Sequence, residues 1–174
     1  MDINMIFFLT LIFIFLSIFV ETIFLILQLK GNYMTKYFGE RAFAIHAITT
    51  LLLWCIAAFF IVLLQLEPHP IFHEIIALTI VGIILLIIGG VISSWGYIIL
   101  GLKRSLCLNF YKEDVPIEDH KLFKYIKHPQ DYGFWTLLAG FALFTGSVYN
   151  LIIFIEYVVI MIPHNLIESR PLKR

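Results

Sequence analysis

One segment of the chain gathers residue types that could bind a ligand at a membrane boundary. It runs Tyr125-Ile126-Lys127-His128-Pro129, and Gly133 follows four residues later. Proline suits the first turn of a helix, because the N–H that it lacks would have no intrahelical partner there. A long apolar run begins just after it. We therefore expect Pro129 to begin a membrane helix, with His128 just outside at the water boundary. There an imidazole either caps the helix or contacts a cofactor or substrate.

The composition identifies the broad class of protein. Of 174 residues, 61% are hydrophobic and 14% are charged, and the mean hydropathy is +0.96. The apolar residues fall in runs near the length of about 20 residues that crosses a bilayer. A soluble fold could not cover that much apolar surface, so the sequence predicts one integral-membrane domain over residues 1–174. The formal net charge is zero, which gives no support for nucleic-acid binding.

The apolar runs predict an all-α, polytopic membrane helix bundle, because a helix satisfies its own backbone hydrogen bonds in lipid. We expect about five transmembrane helices, at residues 5–29, 42–66, 75–102, 130–144 and 147–163. One uninterrupted helix over 130–163 would be about 50 Å long, well beyond a hydrocarbon core of about 30 Å. Thr145-Gly146-Ser147 is a turn-forming break within that run. The last two helices should therefore form a hairpin.

The distribution of basic residues supports the hairpin. With five spans, all 12 Lys and Arg residues lie on one side, in the loop after the first span, the segment 103–127 and the tail 164–174. The N-terminus, the 67–74 loop and the 145–147 turn hold none. By the positive-inside rule we expect the N-terminus outside and the C-terminus in the cytoplasm, on the side of His128. The basic segment 103–127 should lie on anionic membrane lipids.

Metal and disulfide chemistry are not predicted. Cys55 lies in an apolar run and Cys107 in the basic segment, so the two cysteines do not form a ligand-spaced pair. His69 and His73 lie close together in an outer loop. Pro70 between them makes a continuous helix improbable, so their spacing does not place them on one face.

Three ionisable residues fall inside the predicted spans: Glu21, His46 and Glu156. A charge is costly in hydrocarbon, so such side chains usually face the interior of a helix bundle. Each either lines an acceptor pocket or makes an interhelical hydrogen bond. The pairs Gly89-x-x-x-Ser93 and Gly90-x-x-x-Ser94 predict close packing of the third span against another helix.

The segment around His128 resembles the signature of the small membrane methyltransferases, the isoprenylcysteine carboxyl methyltransferase and phospholipid methyltransferase superfamily. The matching pattern is a tyrosine, a basic residue, His-Pro and a spaced glycine. The likeness continues through Gly140, the Gly146-Ser147 break and Glu168, and it covers about the last third of the chain.

The resemblance implies a methyltransferase that uses S-adenosylmethionine and acts on a lipid-like acceptor in the bilayer. It implies cofactor contacts at Tyr125, Lys127, His128, Pro129, Gly133 and Glu168. Gly133 and Gly140 would let helix and ligand approach closely. Lys127, His128 or Arg170 could bind the carboxylate of the cofactor, and Glu168 could accept from its amine or hydroxyls.

Four positions depart from the pattern of the superfamily. Lys127 stands where arginine is usual, Asp131 where tyrosine is usual, and Ser169 where a second glutamate is usual. The usual arginine upstream is replaced around His164-Asn165. Lysine lacks the bidentate fork of arginine, so anion binding at 127 should be looser.

Two acceptor classes fit the resemblance. A prenylated cysteine carboxylate is already ionised, whereas a phospholipid amine must first lose a proton, so a nearby histidine or carboxylate matters more for it. The hairpin from His-Pro to Gly-Ser favours the isoprenylcysteine type. The alternatives are a phosphatidylethanolamine-type N-methyltransferase, a non-catalytic helix-bundle relative and a membrane reductase on the same scaffold. The sequence leaves the catalytic residues and the oligomeric state open.

Overall fold

The computed structural model describes residues 2–67, 70–72, 74–111 and 128–168. Within these ranges the helices are α1 (Ile3–Gly31), α2 (Tyr33–Phe38), α3 (Ala42–Gln65), α4 (Ile76–Ser105), α5 (Pro129–Thr145) and α6 (Val148–Glu168). The same ranges contain two 3₁₀ turns, η1 (Gly39–Arg41) and η2 (Leu108–Phe110). Several predicted features lie outside the described residues: Tyr125, Lys127, His69, His73, most of the basic segment and the end of the tail.

The predicted class, an all-α membrane helix bundle, is confirmed. Four stretches of the described chain are long and apolar enough to cross a membrane: Ile3–Gly31, Tyr33–Gln65, Ile76–Gly101 and Val148–Glu168. The sequence predicts about five spans, and the predicted span that is missing from these four is α5. This helix has 17 residues, which gives a length of about 25 Å, short of a hydrocarbon core of about 30 Å.

The chain forms two compact units. Of the described residues, the first holds 2–67, 106–111 and 159–168, and the second holds 70–72, 74–105 and 128–158. Helix α6 begins in the second unit and ends in the first. Large apolar side chains such as Ile48 and Ile98 are 67% and 80% exposed. Such exposure suits lipid and would be unfavourable in water.

In the first unit a buried amide connects three elements. Gln28 on α1 is 4% exposed, and its Nε2 donates to Thr35 Oγ1 at 2.9 Å and to the carbonyl of Phe110 at 3.2 Å. The Thr35 N–H donates back to Gln28 Oε1 at 3.2 Å. A buried polar group is costly unless it is hydrogen-bonded, so this network fixes α2 and η2 against α1. Phe13 and Phe60 stack between α1 and α3, with ring centroids 5.4 Å apart.

His46 makes a hydrogen bond between elements. The Tyr111 hydroxyl lies 2.7 Å from His46 Nδ1. Burial raises the pKa of the Tyr111 phenol, and the electrostatic effects of the nearby Cys107 and Glu21 raise it further. The phenol therefore keeps its proton at neutral pH, and it shares a hydrogen bond with His46 Nδ1. Glu21 has Cys107 Sγ as a neighbour, 4.0 Å from its Oε1. The sequence leaves two roles open for His46 and Glu21, an acceptor pocket or a hydrogen bond between elements. These contacts are of the second kind.

In the second unit, α4 and α5 pack backbone against backbone. A Cβ on Gly89 would meet the amide nitrogen of Leu137 and lie 2.6 Å from the carbonyl oxygen of Gly133, and a Cβ on Gly133 would meet the amide nitrogen of Ser93. The helices are antiparallel, because the partner position falls along α5 as the position rises along α4. Further close approaches occur at Gly82, Gly96 and Gly140.

These contacts confirm one of the two predicted small-residue pairs. Gly89 and Ser93 lie on the interface, whereas a Cβ on Gly90 would have only Leu137 Cδ1 near it, at 3.9 Å, and Ser94 is exposed. The actual repeat on α4 is seven residues, from Gly82 through Gly89 to Gly96. A seven-residue repeat keeps one face of a helix toward a nearly parallel or antiparallel partner.

The predicted hairpin is present at the end of the chain. Helix α5 ends at Thr145, and Gly146 adopts the left-handed conformation with φ of 62°, which favours glycine at a helix C-terminus. Farther from the turn, the rings of Phe134 and Tyr157 lie 5.1 Å apart. The loop before α4 joins this turn, because the amide of Val148 donates to the carbonyl of Pro70 at 2.9 Å.

Substitution of the adjacent glycines 89 and 90 tests the packing of α4 against α5. Gly89→Ala should lower the free energy of unfolding by about 1–3 kcal/mol or more, because the methyl group would overlap backbone atoms that cannot move aside. Gly90→Ala should be neutral or stabilising, since alanine is about 0.5–1 kcal/mol more favourable than glycine in a helix. Thermal unfolding in detergent compares the two. Equal melting temperatures would contradict the interface.

Candidate functional site

The first turn of α5 brings an imidazole and a carboxylate together. His128 is the N-cap residue, and Pro129 is the first helical residue, as the sequence predicts. Nδ1 of His128 lies 3.8 Å from Oδ2 of Asp131, and each side chain is 12% exposed. A helix N-terminus carries partial positive charge, which favours a carboxylate there. The pair is thus a partly buried acid–base couple at the end of a short membrane helix.

Gln130 lies between these two residues and is buried. Its backbone carbonyl accepts a hydrogen bond from Ser93 Oγ at 3.0 Å, which anchors this turn to α4. Its side-chain Oε1 has no hydrogen-bond partner among the described residues. An unsatisfied buried polar atom costs about 1–3 kcal/mol. Gln130 Oε1 is therefore ready to accept a hydrogen bond from a ligand.

Pro129 and Gly133 serve the packing of α5. Pro129 is less than 2% exposed, and Gly133 fits against Gly89 and Ser93. The prediction that Gly133 and Gly140 allow close helix approach is confirmed. Direct contact of Pro129 or Gly133 with a cofactor stays a prediction.

The C-terminal end of α6 differs from the sequence-based prediction. The helix continues through Pro163 to Glu168, whereas the sequence predicts its end at the proline. A proline costs one backbone hydrogen bond. Contacts with α1 and η2 hold the extra turn. His164 bonds to Thr22, and Ile167 packs against the cluster of Leu25, Cys107 and Phe110. His164, Asn165 and Glu168 therefore lie on a helix.

Two polar residues precede Glu168 on this last turn. His164 is 4% exposed, with Nδ1 2.9 Å from Thr22 Oγ1 and Nε2 4.0 Å from Glu168 Oε2. Asn165 is 9% exposed, and neither Nδ2 nor Oδ1 has a hydrogen-bond partner among the described residues. Glu168 is half-buried, with a side chain that is 21% exposed.

Sequence reasoning did not assign a role to Asn165 or Gln130. The sequence signal for them is weak. Gln130 directly follows Pro129, and Asn165 lies three residues before Glu168. Only burial without a partner distinguishes them from ordinary helix-end amides. Glu156 also has a buried atom without a partner: its side chain is half-buried, and its Oε2 has no hydrogen-bond partner among the described residues.

Comparison with known proteins identifies the family of the chain. A family model described as phospholipid methyltransferase matches residues 77–174, which is more than half of the chain. No curated protein and no solved structure shows significant similarity. A multi-pass helical fold with this match defines the class as a membrane methyltransferase that acts on lipid. The chain belongs to the phospholipid methyltransferase family, whose members are S-adenosylmethionine-dependent methyltransferases.

The described residues fit the chemistry of S-adenosylmethionine. The cofactor carries an amino-acid carboxylate and ammonium, ribose hydroxyls and an adenine. In the first unit, Asn165 lies three residues before Glu168, and it offers a donor and an acceptor that have no partner among the described residues. In the second unit, His128 offers an imidazole and Gln130 an unpartnered acceptor. Unpaired buried polar groups are expected where a polar ligand completes the hydrogen bonding.

Asn165→Ala tests whether this amide serves a ligand or the fold. Because the amide has no hydrogen-bond partner among the described residues, its removal should leave the melting temperature of the cofactor-free protein unchanged or raised. Affinity for S-adenosylmethionine should fall roughly tenfold or more, as one or two hydrogen bonds are lost. Calorimetry and thermal unfolding give the two quantities.

Asn150→Ala on the same helix is the matched control. Asn150 Nδ2 donates to Thr145 Oγ1 at 3.0 Å. This variant should lose about 1 kcal/mol of stability and keep the affinity of the wild-type protein for the cofactor. An Asn165→Ala variant that is destabilised and binds normally would show that the amide serves the fold.

Proposed function

We propose that the protein transfers a methyl group from S-adenosylmethionine to the amine of a phospholipid headgroup. The membership in the phospholipid methyltransferase family supports this acceptor class. The single structural observation that carries the proposal is the pair of His128 and Asp131, 3.8 Å apart at the start of α5.

The need for this pair follows from the chemistry of the acceptor. A headgroup amine is an ammonium at neutral pH and has no lone pair for attack until it loses a proton. The carboxylate of Asp131 can bind the ammonium and accept that proton, and His128 orients the carboxylate and can carry the proton away. Asp131 replaces the tyrosine usual in the superfamily, so this chain has a carboxylate where its relatives usually have a phenol.

The cofactor supplies an electrophilic methyl group when it is bound, so the residues of the chain bind, align and exclude water. The family resemblance implies cofactor contacts at His128 and Glu168. Gln130 in the second unit and Asn165 in the first are further candidates, each within its own unit, because Gln130 Oε1 and both amide atoms of Asn165 have no partner among the described residues. Tyr125 and Lys127 stay predicted contacts outside the described residues.

The isoprenylcysteine-type acceptor favoured by the sequence stays a prediction. A prenylated cysteine carboxylate needs no base, so that acceptor gives no reason for the His128–Asp131 pair. The cytoplasmic position of the cofactor end, with the N-terminus outside, also belongs to the proposal, and the placement of basic residues supports it.

The acceptor test uses the purified protein in nanodiscs of defined lipid composition, with radiolabelled S-adenosylmethionine. We expect methyl transfer to phosphatidylethanolamine. Asp131→Asn should lower kcat roughly 10²-fold or more, the usual contribution of a general base, and change cofactor affinity by less than about threefold. Asp131→Glu, which keeps a carboxylate, should retain part of the activity.

Two results would contradict the proposed acceptor chemistry. One is normal turnover by Asp131→Asn on phosphatidylethanolamine. The other is transfer to a prenylated cysteine substrate by a wild-type protein that leaves phosphatidylethanolamine unmethylated.

A further inference from the structure

The last turn of α6 contacts α1 through a hydrogen bond that joins distant parts of the sequence. Thr22 Oγ1 on α1 lies 2.9 Å from His164 Nδ1, and Nε2 of the same imidazole lies 4.0 Å from Glu168 Oε2. All three residues belong to the first unit. Thr22 precedes the region matched by the family model, which begins at residue 77.

The hydrogen bonding of Thr22 determines which nitrogen of His164 carries a proton. The Thr22 hydroxyl also lies 2.6 Å from the carbonyl oxygen of Ile18. A carbonyl oxygen only accepts, so the single hydroxyl proton is donated to Ile18. The same oxygen can then only accept from His164. Nδ1 of His164 therefore carries a hydrogen, and Nε2 is the nitrogen that faces Glu168.

The orientation of His164 affects the position of the Glu168 carboxylate. The imidazole is buried, so it cannot rotate freely toward solvent. With Nδ1 bound to α1, Nε2 faces Oε2 of Glu168, one helical turn later, at 4.0 Å. Two facing acceptor atoms repel, and one proton between them makes the contact favourable. A proton shared across this contact favours a Glu168 side chain that points toward His164.

We infer that Thr22 and His164 are positioning residues that orient the Glu168 carboxylate for the cofactor. The inference rests on the proposed role of Glu168 as a cofactor contact. It gives α1, outside the family match, a part in cofactor binding. His164 stands in the region where the superfamily usually has an arginine. In this chain an imidazole between Thr22 and Glu168 takes that place.

Three variants of α1 test the inference by calorimetry with S-adenosylmethionine. Thr22→Val removes the hydroxyl without a change of shape, and it should weaken binding roughly tenfold. Thr22→Ser restores the hydroxyl and should bind like the wild-type protein. Thr10→Val is the matched control, because Thr10 is buried on the same helix and donates to the carbonyl of Ile6 at 2.9 Å. It should bind normally.

The tautomer of His164 is measured separately by ¹⁵N NMR of histidine-labelled protein without cofactor. His164→Asn identifies the signal. We expect a protonated Nδ1 in the wild-type protein and in Thr22→Ser, and a changed Nδ1 signal in Thr22→Val. A non-protonated Nδ1 in the wild-type protein, or normal cofactor binding by Thr22→Val, would overturn the inference.

The two readouts distinguish this inference from the proposed function. A wild-type protein that binds S-adenosylmethionine but methylates no phospholipid would refute the acceptor and leave the positioning role intact. A wild-type protein with a protonated Nδ1 that binds no S-adenosylmethionine would refute the role of Glu168, and the positioning role would fall with it.

Discussion

The close contact of α4 with α5 is the constraint on which the second unit depends. Lipid provides no hydrophobic driving force between apolar helices, so their association relies on van der Waals packing and interhelical hydrogen bonds. Glycines remove the side chains that would hold the backbones apart, and Ser93 adds a hydrogen bond to the carbonyl of Gln130. The same contact fixes the first turn of α5. The imidazole of His128 and the carboxylate of Asp131 therefore project from a rigid helix end.

Burial gives the polar residues of the candidate site their chemical character. In a low-dielectric environment a hydrogen bond is stronger, and an unpaired polar group costs more. Among the described residues, Asn165 Nδ2 and Oδ1 and Gln130 Oε1 are buried without a hydrogen-bond partner. A polar ligand that hydrogen-bonds to these atoms would lower that cost. In the proposed mechanism the amides bind the cofactor, and the acid–base pair at the start of α5 removes the proton of the acceptor.

The sequence predicted those features that follow from local rules. Pro129 begins α5 because its ring suits a first helical turn, and Gly146 ends it because a left-handed residue was required there. The extension of α6 past Pro163 was not predictable, since Thr22 and Leu25 on a distant helix hold that turn. The four-residue spacing of small residues does not indicate Gly82 and Gly96, because the packing of α4 uses a seven-residue repeat. The lack of a partner for Asn165 among the described residues depends on the packing of the whole helix end, so no local sequence pattern indicates it.

Cofactor binding connects the family assignment to particular residues of this chain. Calorimetry of S-adenosylmethionine with the purified protein, with His128→Ala and Glu168→Ala alongside, tests this connection most directly. We expect the wild-type protein to bind and both substitutions to weaken binding while the protein stays folded in the membrane. A folded wild-type protein that does not bind in detergent or in nanodiscs, or variants that bind as well as wild type, would contradict it.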